Sequence, residues 1–390
     1  MGLASAYGLG LDVLVEGIRS GRQPTSDASD LGLTGERSTL LARVPMSGRA
    51  PGEAGYADLL LATVEQALAG LDDRDVFSAA DCALVVGTGG FLYASNAERY
   101  WRDRQAQRHG ESFATPFRVR GPSWGAGLIR GHFAMRGPVV TLSTGCSSSA
   151  NALLVAHEMI TGGQIRRAVV IGAEGANAVT IAGFDALMLL DPRGCRPFDR
   201  DRQGLRLGDG VGVILLEAVD SAEAAWPRTG DDRPFLLGGA NACDTHHLTS
   251  ANPDGSVMAS VMLAALTDAM LTPAQVEAIK AHGTGSVDSD AAEAQAIHQV
   301  FGATPPAITA LKPWVGHTLG ACGVLESVAW LACLQAGFMP PVAGFSSVDP
   351  ALAITPLTRV TTAPGGPCLL NFFGFGGNYT ALVMAGRIRA

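Results

Sequence analysis

The chain has 390 residues, of which 47% are hydrophobic and 16% charged, and its formal net charge is −8. This composition provides for a large buried core and argues against nucleic acid as a partner. No apolar run approaches the ~20 residues of a membrane helix, and the start of the chain lacks the charged and apolar segments of a signal peptide. We therefore expect a globular protein without membrane insertion.

The seven cysteines are odd in number, and no two of them have C-x-x-C spacing. Both facts argue against a disulfide framework and against a metal site built on cysteine. We therefore predict no bound metal and a reducing, cytoplasmic location.

Strand-like and helix-like segments alternate along the chain, which indicates a layered α/β fold with mostly parallel strands. The apolar runs that end in or contain glycine read as buried strands, and the stretches with a period near 3.6 read as helices. Strands are predicted at residues 81–88, 167–174, 210–217 and 278–284, and helices at residues 153–162, 256–270 and 316–334.

The second half of the chain repeats features of the first. The strand at 278–284 ends in Gly-Thr, as the strand at 85–88 does, and both halves contain a helix that begins near glycine. The polar, Pro- and Gly-containing stretch 221–234 is the predicted seam. We therefore predict a duplication, with one half at 1–220 and the other at 235–390, folded as one unit.

Cys146 follows an apolar, β-branched run and precedes three serines and an Ala-rich helical segment. This pattern predicts a strand, a tight turn and a helix, with the thiol at the turn. The free N–H groups and partial positive charge of a helix N-terminus favour a thiolate, the nucleophilic form of cysteine. Cys146 is therefore the candidate nucleophile, although a lone cysteine is more often a small hydrophobic residue.

Three glycine-rich strings accompany this turn, at residues 281–286, 311–321 and 371–378, and they contain His282, His317 and Phe375. A thiolate can attack an activated carbonyl, and neutral imidazoles can donate hydrogen bonds to an oxyanion or enolate. The Gly-Phe-Gly-Gly loop can supply a further backbone N–H. Each string alone has an ordinary structural interpretation, but together they indicate acyl chemistry.

Lysine is rare in this chain. Only Lys280 and Lys312 occur among 28 basic residues, so arginine is the default cation. A lysine in such a background can be retained for its compact ammonium group. For Lys280, that interpretation and simple chance remain equally open.

The chain resembles the β-ketoacyl-[acyl carrier protein] synthases of the thiolase superfamily, the condensing enzymes of fatty-acid and type II polyketide assembly. The resemblance covers nearly the whole chain, and details near residues 191–196 and 311–323 are closer to ketosynthases of aryl-polyene-type clusters. The matching motifs are TGCSSS at 144–149, RPFD at 196–199, GDGVG at 208–212, AHGTG at 281–285, Lys312 with GHT at 316–318, and FGFGG at 373–377.

This resemblance implies a thiolase-like α/β fold of two duplicated halves in α-β-α-β-α layers. It implies that Cys146 accepts an acyl group, and that His282 and His317 promote decarboxylation of a malonyl thioester. Lys312, fixed by Glu293, would orient the histidines. Phe375 would be a gate, and its N–H would form the oxyanion hole with that of Cys146.

The resemblance also implies the partners. Substrates would arrive on the phosphopantetheine arm of an acyl carrier protein, with no other cofactor, and the enzyme would be a homodimer or a heterodimer with a ketosynthase-like subunit. The residues expected along the phosphopantetheine tunnel are Thr249, Thr284, Ser286 and Phe373.

The region 98–136 contains eight arginines on an otherwise acidic chain. Arg118, Arg120 and Arg196 are the candidates for docking an acidic carrier protein, and the alternative is a solvated, partly self-paired surface.

The sequence departs from the family pattern in two places that matter here. The chain begins at what reads as the turn around residues 2–8, so the first strand of the N-terminal half is expected to be missing. Asn378 and Tyr379 replace the usual Thr-Asn after the Gly-Phe-Gly-Gly loop.

Two further functions remain open. One is a non-catalytic partner that sets chain length, although such partners lack the nucleophile. The other is a thiolase-fold acyl hydrolase or acyltransferase without condensation.

Overall fold

The computed structural model describes residues 1–26, 31, 40–49, 53–69, 71, 77–90, 104, 121–219 and 233–386. In the N-terminal half the strands are β1 (Gly2–Ser5), β2 (Gly8–Leu9), β3 (Cys82–Gly87), β4 (Val139–Leu142), β5 (Arg167–Glu174) and β6 (Gly210–Glu217). The helices there are α1 (Leu11–Arg19), α2 (Glu53–Leu68), α3 (Trp124–His132), α4 (Ser148–Thr161) and α5 (Ala178–Ala186).

The C-terminal half follows the same alternation of strands and helices. Its strands are β7 (Phe235–Cys243), β8 (Ala278–Lys280), β9 (Ala307–Thr309), β10 (Phe338–Met339), β11 (Thr361–Thr362), β12 (Pro367–Phe373) and β13 (Asn378–Ala385). Its helices are α6 (Ser256–Asp268), α7 (Val287–Phe301), α8 (Lys312–Val315) and α9 (Cys322–Gln335).

The two large sheets share one topology. The first has the strand order β2-β1-β6-β5-β3-β4, and the second has the order β7-β13-β12-β8-β9. In the first sheet β6 runs antiparallel to β1 and β5, whereas β3 runs parallel to β5 and β4. In the second sheet β13 runs antiparallel to β7 and β12, whereas β8 runs parallel to β12 and β9. The duplication predicted from the sequence is therefore present in the fold.

Helices cover both faces of each sheet, and α4 and α9 lie between the two sheets. With α2 and α3 on one outer face and α6 and α7 on the other, the predicted α-β-α-β-α layering is confirmed. Strand β3 is buried along its whole length, which explains why its sequence is a continuous apolar run without alternation.

The central helices α4 and α9 pack in close contact. Every residue of α9 from Cys322 to Leu334 is buried, so this helix has no polar face. A Cβ added at Gly323 would lie 1.9 Å from the backbone nitrogen of Ala150 in α4. Glycine at position 323 therefore permits the contact that joins the two halves at the centre of the molecule.

The expected loss of the first strand is wrong. Residues Gly2–Ser5 form β1, which pairs with both β2 and β6. A Cβ at Gly2 would lie 2.2 Å from the carbonyl oxygen of Thr63 in α2. This glycine serves close packing between strand and helix, whereas the sequence pattern suggested a turn.

Two other boundaries differ from the sequence analysis. The helix expected at 316–334 begins at Cys322, because α8 and a 3₁₀ turn at Leu319–Ala321 precede it. Most of the predicted seam, residues 220–232, lies outside the described residues, so the division at 1–220 and 235–390 stays a prediction.

Within the described part of the chain, no helix is both long and apolar enough to cross a bilayer.

Candidate active site

Cys146 lies where the sequence placed it, between β4 and α4. The chain leaves β4, turns at Gly145 with a φ of 64°, and enters a 3₁₀ turn, Gly145–Ser147, that leads into the helix. The Ser148 hydroxyl accepts a hydrogen bond from the Thr144 N–H at 2.8 Å and donates one to the Gly145 carbonyl at 2.6 Å. These contacts fix the turn that carries the thiol.

The ionisation of Cys146 differs from the sequence-based expectation. Burial raises the pKa of the Cys146 thiol to about 11, while backbone hydrogen bonds from Phe375 and Cys146 itself and the charge of Lys312 act in the opposite direction. The thiol is therefore the resting form at neutral pH, because loss of solvation outweighs the helix N-terminus. The two backbone groups that favour the thiolate are those expected to form the oxyanion hole.

His317 is buried, and its hydrogen bonds assign its tautomer. Its Nδ1 accepts the backbone N–H of Leu319 at 3.1 Å, and the Cys322 sulfur lies 3.3 Å from the same nitrogen. The ring proton therefore resides on Nε2. Burial and the nearby Lys312 charge lower the pKa of His317 to about 3, so the imidazole is neutral.

His282 has the same tautomer for a different reason. The Lys312 ammonium lies 3.3 Å from its Nδ1, and because an ammonium group only donates, Nδ1 is the acceptor and Nε2 carries the proton. Burial, followed by the charge of Lys312, lowers the pKa of His282 well below its usual value. The rings of His282 and His317 are perpendicular, with their centroids 5.6 Å apart.

The neutral histidines predict a specific acid sensitivity. Both pKa values are lower in the folded protein than the ordinary value of 6.5. The unfolded chain therefore binds more protons below about pH 6.5, and the free energy of unfolding falls as the pH drops toward 3, by up to about 1.4 kcal/mol per pH unit for each histidine. Urea unfolding between pH 4 and 7 measures this slope. His317→Gln should reduce the slope of unfolding free energy against pH. An unchanged slope would contradict the conclusion that His317 is neutral in the folded protein.

Lys312 connects His282 to a buried carboxylate. Its Nζ donates to the His282 carbonyl at 2.7 Å and to Oε1 of Glu326 at 2.8 Å. The predicted partner Glu293 is therefore wrong. Glu326 is buried in α9, and its second oxygen, Oε2, accepts from Lys280 at 2.7 Å.

Glu293 has a different task. Its two carboxylate oxygens accept the backbone N–H groups of His282 and Gly283, each at 2.8 Å, and Oε1 also accepts from Asn371 at 3.0 Å. Asp290, one turn earlier on α7, accepts the N–H groups of Thr284 and Gly285. The i, i+3 spacing places both carboxylates against the loop that carries His282. They hold its backbone, whereas Glu326 holds Lys312.

Sequence reasoning missed Glu326, although a signal was present. It is the only charged residue in α9, a helix that is otherwise almost entirely apolar. A lone acid at such a position requires a buried cation, because an unpaired buried charge is costly. The two lysines of the chain meet that requirement.

Phe375 lies on a glycine turn beside the nucleophile. Gly376 and Gly377 have φ angles of 80° and 74°, and a Cβ at Gly377 would lie 1.8 Å from the Asp244 carbonyl oxygen. Phe375 is 36% exposed as a residue, and its ring stacks on Phe184 with the centroids 5.8 Å apart. Phe184, which sequence reasoning also missed, makes an edge contact with His317. The half-exposed Phe375 ring is consistent with the expected gate.

A cavity of about 170 Å³ reaches from Cys146 and the two histidines toward the surface. It opens between the exposed side chains of Met188, Leu248 and Val287. All of the residues predicted to line the phosphopantetheine tunnel line this cavity, namely Thr249, Thr284, Ser286 and Phe373.

Asn378, the first of the two residues that depart from the family pattern, joins the two halves. Its side-chain oxygen accepts hydrogen bonds from Ser147 at 2.9 Å, Asn151 at 2.8 Å and Asn241 at 2.9 Å. Ser147 and Asn151 belong to the nucleophile turn and α4, whereas Asn241 lies on β7. Asn378 therefore supports the start of α4 and does not line the cavity, whereas Tyr379, the second residue of this departure, lines it.

Only one of the three predicted docking arginines, Arg196, lies among the described residues. Arg118 and Arg120 lie outside the described residues. The Arg196 side chain is only 17% exposed and pairs with Asp191 at 2.8 Å, and it also donates to the Asp201 carbonyl at 2.7 Å. Its guanidinium is therefore committed to internal partners, which does not fit a free docking residue.

Two duplicated halves that together bury a cysteine and two neutral histidines at one cavity define a protein of the thiolase-like fold class. Models of the β-ketoacyl synthase N-terminal domain and C-terminal domain match residues 55–222 and 235–346, respectively. The chain therefore belongs to the β-ketoacyl synthase family.

Individual relatives agree with this assignment. The 3-oxoacyl-[acyl-carrier-protein] synthase 2 of Synechocystis is 30% identical over 317 residues, which are 78% of this chain and 75% of the relative. The ketoacyl synthase alpha subunit of the tetracenomycin polyketide synthase from Streptomyces glaucescens is 34% identical over 64% of this chain and 60% of its own length. This chain likewise covers only about 60% of the length of the first curated relatives, which are 3-oxoacyl-[acyl-carrier-protein] synthases.

A solved structure shows the same fold over the whole chain. It is the ketosynthase ApeO of Xenorhabdus doucetiae, solved in complex with its chain length factor ApeC. The TM-score is 0.81 at 26% identity, over 99% of this chain and 96% of that one. The predicted thiolase-like ketosynthase fold is thereby confirmed.

Proposed function

We propose that this chain is a β-ketoacyl synthase in activity as well as in family. It takes an acyl group from an acyl carrier protein onto Cys146 and extends it by decarboxylative Claisen condensation with a malonyl carrier protein. The observation that carries this proposal is the pair of neutral histidines, each with its proton on Nε2, that line one cavity with Cys146.

In the first step the Cys146 sulfur attacks the thioester carbonyl. The carbonyl oxygen becomes an oxyanion that the N–H groups of Cys146 and Phe375 stabilise. When the intermediate collapses, the carrier's phosphopantetheine sulfur leaves. The proton lost by Cys146 is balanced by the proton that this sulfur gains, so no net acid or base is consumed.

In the second step the malonyl thioester loses carbon dioxide and becomes an enolate. His282 and His317 stabilise the enolate oxygen by donating from Nε2, which requires both rings to be neutral. The enolate carbon then attacks the carbonyl carbon of the acyl group on Cys146, and the bond between that carbon and the Cys146 sulfur breaks. The sulfur leaves as a thiolate, which takes one proton from solvent to return to the resting thiol. The product is a 3-oxoacyl carrier protein that is two carbons longer than the primer.

The partners follow from this chemistry. The cavity that opens near Leu248 and Val287 suits the phosphopantetheine arm of a carrier protein, and the chain would need no other cofactor. Among the described residues, β4 is one of the two edge strands of its sheet, and an edge strand suits a homodimer or a heterodimer with a ketosynthase-like subunit. The complex of the similar ketosynthase with a chain length factor supports the second arrangement. The seven free thiols support a reducing, cytoplasmic location.

The direct test is to incubate the purified protein with acyl carrier protein thioesters and malonyl carrier protein, and then to measure the mass of the carrier-bound products. A product that is two carbons longer and carries a new ketone is the expected result. The extension rates of saturated acyl primers and of unsaturated primers are measured in parallel. Preference for the saturated primers would indicate fatty-acid synthesis, and preference for the unsaturated primers would indicate polyketide or aryl-polyene synthesis. Acylation of Cys146 without extension would instead indicate a plain acyltransferase or a missing partner subunit.

A further inference from the structure

Lys280 is a charged residue in the core that the reaction described above does not use. It ends strand β8, two residues before His282, and its side chain has no exposed surface. Its Nζ donates to Glu326 Oε2 at 2.7 Å and to the Asn371 carbonyl at 2.9 Å, and it lies 3.7 Å from the centroid of the Phe372 ring. Two hydrogen bonds and a cation–π contact therefore surround this ammonium group.

Glu326 binds the two lysines at opposite ends of its carboxylate. Oε2 accepts from Lys280, whereas Oε1 accepts from Lys312 at 2.8 Å. All three side chains are fully buried. Contact at both oxygens leaves the carboxylate little freedom to rotate, so the position of Lys312 depends on Lys280 through Glu326.

Lys312 passes this constraint to the catalytic pair. Its remaining contacts are the His282 carbonyl at 2.7 Å and His282 Nδ1 at 3.3 Å. The contact at Nδ1 keeps the proton of His282 on Nε2. The contacts therefore form one continuous path from Lys280 through Glu326 and Lys312 to the imidazole ring.

We propose that Lys280 is a positioning residue for decarboxylation. Through Glu326 and Lys312 it holds His282 as the neutral tautomer whose Nε2–H donates to the enolate. This inference rests on the proposed function and extends it to a residue outside the cavity.

The electrostatics of the site agree with this assignment. The pKa of Lys280 is lowered to about 8, mainly by burial, and the charge of Glu326 opposes part of that effect. The side chain is therefore still mostly charged at neutral pH. Its charge also lowers the pKa values of His282 and His317. Removing that charge should allow both imidazoles to gain a proton at a higher pH.

The test compares Lys280→Met with the wild-type protein in both half-reactions. We expect the rate of malonyl decarboxylation to fall about 10- to 100-fold, because His282 loses its fixed orientation, while acylation of Cys146 changes little. In a plot of decarboxylation rate against pH, the acidic limb should move to higher pH. Lys280→Gln, which retains a donor without the charge, serves as the second variant if the methionine variant does not fold.

A matched control separates positioning from stability. Leu266→Ala removes a buried side chain from α6, in a different part of the core, and should lower the unfolding temperature without altering the profile. The alternative outcome is that Lys280→Met lowers the rates of both half-reactions equally and, like this control, leaves the acidic limb of the pH–rate profile in place. Lys280 would then be only structural.

A measurement independent of catalysis keeps this inference separate from the proposed function. Nitrogen-15 spectra of labelled histidine report the tautomer and the pKa of His282, identified by its loss in His282→Gln. In the wild type we expect protonation only at Nε2 across pH 5 to 8, and in Lys280→Met a mixture of tautomers or a raised pKa. An unaltered His282 signal in Lys280→Met would overturn the inference, even in an active enzyme. An altered signal in a protein that forms no product would instead count against the proposed function alone.

Discussion

Replacing Cys146 with serine is expected to abolish condensation while leaving malonyl decarboxylation measurable. A serine hydroxyl needs a base to become a nucleophile, and both histidines carry their proton on the nitrogen available to the cavity. Acyl transfer should therefore fall by roughly 10³-fold or more. Intact-protein mass spectrometry after incubation with an acyl carrier protein measures the acyl-enzyme, and release of carbon dioxide measures decarboxylation.

The matched variant for this experiment is His317→Ala. It removes one hydrogen-bond donor to the enolate, and loss of such a donor typically costs about 10²–10³-fold in rate. Acylation of Cys146 should change much less, because its oxyanion is bound by backbone N–H groups. Cys146→Ser should thus lose acyl transfer and keep decarboxylation, whereas His317→Ala should lose decarboxylation and keep acyl transfer. Full condensation by Cys146→Ser would refute its assigned role, and equal loss of both steps in His317→Ala would make His317 structural.

Replacing Glu326 with leucine is expected to have the largest effect on stability. Leucine has a similar volume but leaves Lys280 and Lys312 without their shared carboxylate in a fully buried site. Removing one partner of a buried ion pair typically costs about 3–5 kcal/mol. The free energy of unfolding from urea titration should fall by that amount, and decarboxylation should fall with it because Lys312 loses its anchor.

A surface pair provides the control for this prediction. Arg167 and Glu217 are 2.7 Å apart across β5 and β6, and their side chains are 28% and 52% exposed. Glu217→Gln should cost about 0–1 kcal/mol, because exposed pairs contribute little. If Glu326→Leu costs no more than this control, the buried cluster does not stabilise the fold as its geometry indicates.

Much of the site could be predicted because its signals are local. Cys146, His282 and His317 each lie at a glycine-containing turn, and the residues next to each one set the turn. The structure places all three at one cavity. The duplication was also visible, because the strands that repeat in both halves are fully buried runs.

The errors occurred where distant segments meet. The partner of Lys312 depends on how α9 packs behind the histidine loop, so the sequence analysis paired Lys312 with Glu293 and missed Glu326. Gly2 was assigned to a turn because the reason for this glycine is not visible in the local sequence. A Cβ at this position would clash with α2, which lies more than fifty residues away along the chain. The resting state of Cys146 was misjudged because its burial is created by the 375–377 turn and the second half of the chain.

The burial of Lys280 and Lys312 has a practical consequence for handling the protein. Because these are the only lysines in the chain and neither has exposed surface, amine-directed labels and cross-linkers find no lysine target on the folded molecule. Unfolding exposes both amines at once. The rate at which an acylating reagent modifies them therefore reports how often the centre of the protein opens, with no engineered probe.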